Sequence, residues 1–493
     1  MNKSDKFDIP IKERALVLQG GGSLGAYEAG VYKALYEWLS KKDKDEKWGK
    51  TRTFDIIAGT SIGAMNAAVL TSYVIENDSY EGSAERLEEF WKYLSRISIA
   101  DMNPWFTMWW DTMHKINRSF ATGEAARRYY SAREFAISGV PNVFSPRMPL
   151  LDNKFLDYTN TWYRFNNKPL KKALERFAKF PIATRHEDNQ PRLLLVSVDV
   201  ADGLAVTFDS YPKADGGRRS EYGKYIVQDG KEIGFERVIR YDDGITADHV
   251  MASGSYPVNF DYATLEVESY KSNFDKGNQT DKNENGSFEG KIEFSNNMSY
   301  QKDKRHFWDG GLMTNTPLIQ LVLYHRNYWY QIRNLKDKVP TLGICVVNVH
   351  PTRQPEIPFD HDGIINRNND ITFSDRSNRE EEALLLISDY VDLVRELINL
   401  AKENGLKDNA INNLLDQETK YHGKFLKPRN YRDIIEGRFD IAEIVRIERK
   451  NDEHTISDKT FDFSSGTIAY LLSDGYKDAV NFIKDWETNN PNQ

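Results

Sequence analysis

A serine set between small residues, Gly59-Thr60-Ser61-Ile62-Gly63, stands where a short apolar run gives way to a helical pattern. Phe54–Ala58 reads as a buried strand and Ala64–Val74 as the helix that follows. A strand-to-helix turn this sharp holds the serine backbone under strain and leaves no room for a Cβ at position 59 or 63. It also aims the helix N-terminus at the serine, which favours negative charge there. The chemistry this suits is attack by Ser61 on an acyl carbonyl. A tight turn with an N-capping serine would use the same residue types, and the strand–turn–helix context is what favours the nucleophile.

A second constellation lies upstream. Ala15–Leu18 reads as a buried strand, and Gly20-Gly21-Gly22-Ser23-Leu24-Gly25 follows it directly. Adjacent glycines let consecutive backbone N–H groups point into one concavity, which fits a developing oxyanion at Gly20, Gly21 and Gly22, with Gly25 in support. The same spacing matches a dinucleotide-binding loop. That reading needs an acidic residue ending a second strand about 20 residues on. Here that stretch is a lysine-rich loop around Asp43 and Glu46, and the next strand leads to Ser61 instead.

A third is Asp309-Gly310-Gly311, with Asn315-Thr316-Pro317 downstream. Asp-Gly alone marks an ordinary turn. Between the second and third sits Ala252-Ser253-Gly254-Ser255-Tyr256-Pro257, with Phe260 beyond it. In this order the four segments resemble the patatin-like phospholipase family, over about residues 14–90, 193–208, 247–263 and 306–349.

The resemblance implies a Ser61–Asp309 dyad without histidine, an oxyanion hole in the glycine loop, and a lipid or acyl-ester substrate. It implies neither metal nor cofactor, and gives Gly310 and Gly311 a supporting part. One position departs from the family: many members carry Arg or Lys where Leu24 stands. A free aspartate, with a pKa of about 3.9, is a weaker base than histidine at about 6.5, so Asp309 would need burial to raise it. The competing arrangement is a Ser-Asp-His triad using His350, which ends the run Leu342–Val349. The placement of the glycine loop after the first strand and the Asn-x-Pro segment favour the dyad. His350 is then a loop residue capping a strand, and His306 a surface or supporting one.

Further elements must carry these segments. Helical spacing runs from Ala26 to Leu39, Glu85 to Leu94, Pro317 to Asn327 and Ile468 to Trp486; strands are expected at Leu193–Val200, Leu204–Phe208, Leu342–Val349 and Ile441–Ile447. This alternation predicts a three-layer α/β/α fold with a mainly parallel central sheet. Residues 12–350 would form the catalytic domain, with flexible insertions at about 211–234 and 269–300. Residues 351–493 would form a mostly helical region packed on it. The stripe Leu384, Ile387, Val391, Val394, Ile398 and Ala401 predicts a helix over Glu380–Glu403 whose apolar face is core or a dimer contact. The oligomeric state is open.

The 493 residues are 40% apolar and 12% aromatic, as a folded protein requires. A net charge of -8 gives no reason to expect nucleic acid or attraction to anionic lipid. Peripheral membrane contact would have to come from apolar side chains such as Trp105, Phe106, Met108, Trp109 and Trp110, whose ordinary role would be a core wall around the acyl pocket. The single cysteine, Cys345, excludes an internal disulfide and reads as a buried thiol. Met1–Lys12 lacks a signal-peptide pattern, and no run is long enough to span a bilayer. The expectation is a cytoplasmic protein.

Overall fold

The computed structural model describes residues 10–45, 53–146, 165–228, 231–257, 259–274, 299–335, 339–419, 430–435 and 439–490. In chain order its strands are β1 (Lys12–Leu18), β2 (Ile56–Thr60), β3 (Ser145–Pro146), β4 (Phe165–Asn166), β5 (Arg192–Asp199) and β6 (Leu204–Asp209). There follow β7 (Arg219–Gln228), β8 (Lys231–Arg240), β9 (Ala263–Phe274), β10 (Ser299–Asp309), β11 (Thr341–Asn348) and β12 (Ile441–Glu448). All but the short β3–β4 pair join one sheet, in the order β12-β11-β1-β2-β5-β10-β9-β8-β7, with β6 beside β5.

The half from β12 to β5 is parallel, and from β10 outward every pairing is antiparallel. Alternation along β1 shows why the sheet is covered on both faces. Leu16 and Leu18 join the core formed with helices Gly25–Asp45, Ile62–Asn77, Ser83–Leu94 and Ser465–Asn489. Ala15 and Val17 join a second core with Leu318, Leu321 and Val322 on the opposite face. The three-layer expectation holds, with an antiparallel extension.

That extension corrects the reading of 211–234 as a flexible insertion. β7 and β8 form a regular hairpin, Arg219 opposite Arg240 and Gln228 opposite Lys231. The segment between Tyr211 and Gly234 is polar and glycine-rich, which hides an alternation that turns Ser220 and Tyr222 inward. Ser220 is buried, whereas Arg219 pairs with Glu221 at 2.6 Å on the outer face. Of the other expected insertion, the ends are strand as far as Phe274 and from Ser299, and 275–298 lie outside the described residues.

Two helices also differ from expectation. Pro104–Ile116 carries the tryptophan cluster and has no buried residue, so these side chains are not a core wall. Asn378–Glu403 buries only Leu384 and Val391 of its predicted stripe. No helix among the described residues is long and apolar enough to cross a membrane. Cys345 is free and buried, and burial pushes its thiol up to about 12.

The first and last long helices cross in close contact. A Cβ on Gly30 would lie 2.0 Å from the Leu472 carbonyl oxygen, and one on Gly475 would lie 2.1 Å from that of Tyr27. Only paired glycines allow backbones to approach this closely.

Candidate active site

Register brings the two predicted catalytic side chains level. β5 lies between β2 and β10. On one side Thr60 pairs with Val196, and on the other Asp309 pairs with Ser197. Ser61 follows Thr60 directly, so Ser61 and Asp309 flank the same point of β5. Their backbones sit about two strand spacings, or roughly 10 Å, apart. The side chains reach toward each other across that gap, close enough for the Ser61 hydroxyl to lower the pKa of the Asp309 carboxyl.

Ser61 has φ 57° and ψ −123° and precedes helix Ile62–Asn77. A positive φ at a non-glycine residue is strained, so its surroundings must hold it. They do: the Ser61 N–H donates to Ser253 Oγ at 2.9 Å, and Ser253 in turn donates to the Val196 carbonyl at 2.5 Å. The small neighbours are required sterically. A Cβ on Gly63 would come within 2.4 Å of the Leu18 carbonyl oxygen, and one on Gly59 within 2.4 Å of Gly63.

Asp309 is 3% exposed. Burial raises its carboxyl to about 7, against the opposing hydrogen bonds from Ser61 and from the Gly311 N–H, the latter at 2.8 Å. An aspartate so placed is a base matched to neutral pH. Its own N–H donates to the Ser255 carbonyl at 3.0 Å. The Ala252–Pro257 segment thus holds both members of the pair, Ser61 through Ser253 and Asp309 through Ser255.

The glycine loop sits beside them, but its three residues are not equivalent. The Gly20 N–H is taken by Asn315 Oδ1 at 3.1 Å, which removes it from the expected oxyanion donors. Among the described residues no acceptor meets the N–H of Gly21 or Gly22. Gly22 has φ +59°, and a Cβ there would strike the Thr460 carbonyl oxygen at 2.5 Å. Ser23 Oγ donates to the Lys459 carbonyl at 2.7 Å, which ties the loop to the C-terminal region. Leu24 is buried apolar packing.

Gly21, Gly22, Ser61 and Asp309 open onto a cavity of about 300 Å³. Met65, Phe144, Leu170, Phe260, Phe461 and Phe463 give it apolar walls suited to a hydrocarbon chain.

His350 lies in the bend just past β11, at the strand end as expected, but it is 2% exposed and lines the same cavity. Its Nδ1 contacts Asp370 Oδ1 at 3.1 Å, and Asp370 also accepts from Lys459 Nζ at 2.7 and 2.8 Å. Burial would raise Asp370, but His350 and Lys459 overcome it and hold the carboxyl down at about 2. Burial lowers His350, so a neutral ring donates from Nδ1 and keeps its lone pair on Nε2. That nitrogen lies 3.4 Å from where a Gly21 Cβ would stand. His306 is exposed and contacts Thr264 and Tyr262.

Sequence reasoning therefore assembled Ser61, Asp309 and the loop, but assigned no role to Ser253, Asn315, Asp370, Lys459, Phe461 or Phe463. Ser253 and Asn315 stood inside quoted segments. The other four lie in no local pattern that could have marked them.

The strand ends thus carry a strained serine, a buried aspartate and a glycine loop over one apolar cavity. The family model for patatin-like phospholipases matches residues 16–322, and the chain belongs to that family. No curated protein matches it. Among solved structures, that of VipD from Legionella pneumophila aligns at 12% identity with a TM-score of 0.29, covering 98% of this chain and 72% of that one.

Proposed function

We propose that the protein hydrolyses carboxylic esters of phospholipids, lysophospholipids or related acyl lipids through a Ser61–Asp309 dyad. The observation that carries this is a buried Asp309 carboxyl raised to about 7 beside Ser61, both on the wall of one apolar cavity. Ser61 Oγ attacks the ester carbonyl as Asp309 takes its proton. The N–H groups of Gly21 and Gly22, with the N-terminus of helix Ile62–Asn77, hold the tetrahedral oxyanion. Asp309 then returns the proton to the departing alcohol. Water attacks the acyl-serine in a second half-reaction that uses the same groups.

The substrate reaches this site from a lipid surface in our reading. Helix Pro104–Ile116 supports it, since Trp105 is 73% and Trp109 50% exposed, and tryptophan favours membrane–water boundaries.

The test is hydrolysis of nitrophenyl esters of increasing chain length, together with fluorophosphonate labelling. Ser61→Ala should abolish both, Asp309→Ala should abolish turnover, and His350→Ala should retain it. Folded wild-type protein that takes no label would make it a lipid-binding protein of this fold. Activity kept in Asp309→Ala and lost in His350→Ala would replace the dyad by a triad.

A further inference from the structure

The helix Asn378–Glu403 carries a second apolar stripe besides its buried edge. Leu386, Tyr390, Leu393, Leu397 and Leu400 recur at intervals of four and three, the spacing of a coiled-coil seam. All five are more than half exposed, between 52% and 61%. The buried edge of the same helix is Leu384, which joins the second core, and Val391. A row of five large apolar side chains over two heptads is a helix-pairing face that no helix among the described residues covers.

The residues flanking the seam identify what fits it. In heptad terms Leu386, Leu393 and Leu400 are d positions, and Tyr390 and Leu397 are a positions. The g positions are then Glu382, Asp389, Glu396 and Glu403, an unbroken acidic row that is exposed throughout. None of these four carboxylates has a cationic partner among the described residues. The e positions are Ile387, Val394 and Ala401, all uncharged. A second copy packed antiparallel would set the acidic row against itself. Packed parallel, it would set that row against Ile387, Val394 and Ala401, and the charges would again go unmatched. An anionic membrane would be repelled by the same row.

We infer that this face binds an amphipathic helix of a partner protein whose e and g positions carry Lys or Arg. Its leucines would fill the seam, while its cations would meet the acidic row.

The full chain can be titrated against a fluorescein-labelled 26-residue peptide with Leu at every a and d and Lys at every e and g. Binding is expected for this peptide and not for its counterpart with Glu in place of Lys. Leu393→Gln with Leu397→Gln leaves the charge and the core untouched, and should weaken binding roughly 100-fold. Asp389→Lys with Glu396→Lys should invert the preference between the two peptides. Absence of binding, or equal binding by the leucine variant, overturns the inference. So does self-association in sedimentation that the leucine variant abolishes, which gives the face to a second copy. Binding to phosphatidylcholine vesicles that the same variant abolishes gives it to lipid.

Discussion

Asn315 clasps Gly20 from both sides: its Oδ1 accepts from the Gly20 N–H at 3.1 Å while its Nδ2 donates to the Gly20 carbonyl at 3.1 Å. Nδ2 also donates to the Phe373 carbonyl at 2.7 Å. The clasp fixes the peptide that leads into the two free N–H donors, and it does so from the segment that follows Asp309. One side chain thereby sets the oxyanion loop relative to the base. Asn315→Leu keeps the volume and loses all three bonds. Its kcat for a soluble ester should fall by about 10²–10³-fold with little change in KM, as for loss of an oxyanion donor. An unchanged kcat would remove Asn315 from the catalytic geometry.

The carboxyl of Asp309 must be ionised to accept the Ser61 proton. With its pKa raised to about 7, kcat/KM should rise with pH through about 7 and level off above it. An activity profile from pH 5 to 9 measures this. A midpoint near 4 would mean that the base is not buried as described.

The same burial predicts a stability effect of defined sign. The native carboxyl holds its proton up to about pH 7, whereas the unfolded chain releases it near 4. Between these values the native state binds more protons, so stability falls as pH rises and stays low above 7. Asp309→Asn removes that cost and retains an acceptor for the Gly311 N–H. It should be inactive, yet more stable than wild type by roughly 2–4 kcal/mol at pH 8 and nearly equal to it at pH 4. Urea midpoints at the two pH values decide it, and an equal gain at both would exclude ionisation as the cause.

Strain at Ser61 separates two inactive variants. Alanine inherits the φ of 57°, whereas glycine adopts it freely. Ser61→Gly should therefore unfold at higher denaturant than Ser61→Ala, by about 1 kcal/mol. The reverse order would mean that the serine backbone is relaxed.

Behind the loop, Lys459 and Asp370 form a buried ion pair in which burial holds the lysine down to about 8. Breaking such a pair strands a charge. Lys459→Met should cost about 3–5 kcal/mol in a thermal or urea melt, and Asp370→Asn a comparable amount. A loss under 1 kcal/mol in both would leave the network without structural weight.

What could be read from the sequence follows from how local each signal is. Ser61 was legible because an apolar run, a small-residue turn and a helical stripe adjoin within twenty residues. Asp309 needed the order of four distant segments. The clasp by Asn315 and the loss of Gly20 as a donor depend on one hydrogen bond across the fold, which no spacing encodes. The β7–β8 hairpin was hidden because glycine and charged residues interrupt the few apolar positions, such as Tyr222 and Ile239, that face the core. Asn378–Glu403 was legible as a helix, but apolar periodicity alone cannot tell a face turned to the core from one left open.

The close crossing of Gly30 and Gly475 has a consequence for the order of synthesis. Ser61 and Asp309 leave the ribosome well before Lys459, Thr460 and the helix Ser465–Asn489. Until those arrive, the glycine loop lacks the wall that Thr460 supplies and its helix lacks the partner it grips. A nascent chain thus carries Ser61 and Asp309 before its glycine loop is walled in.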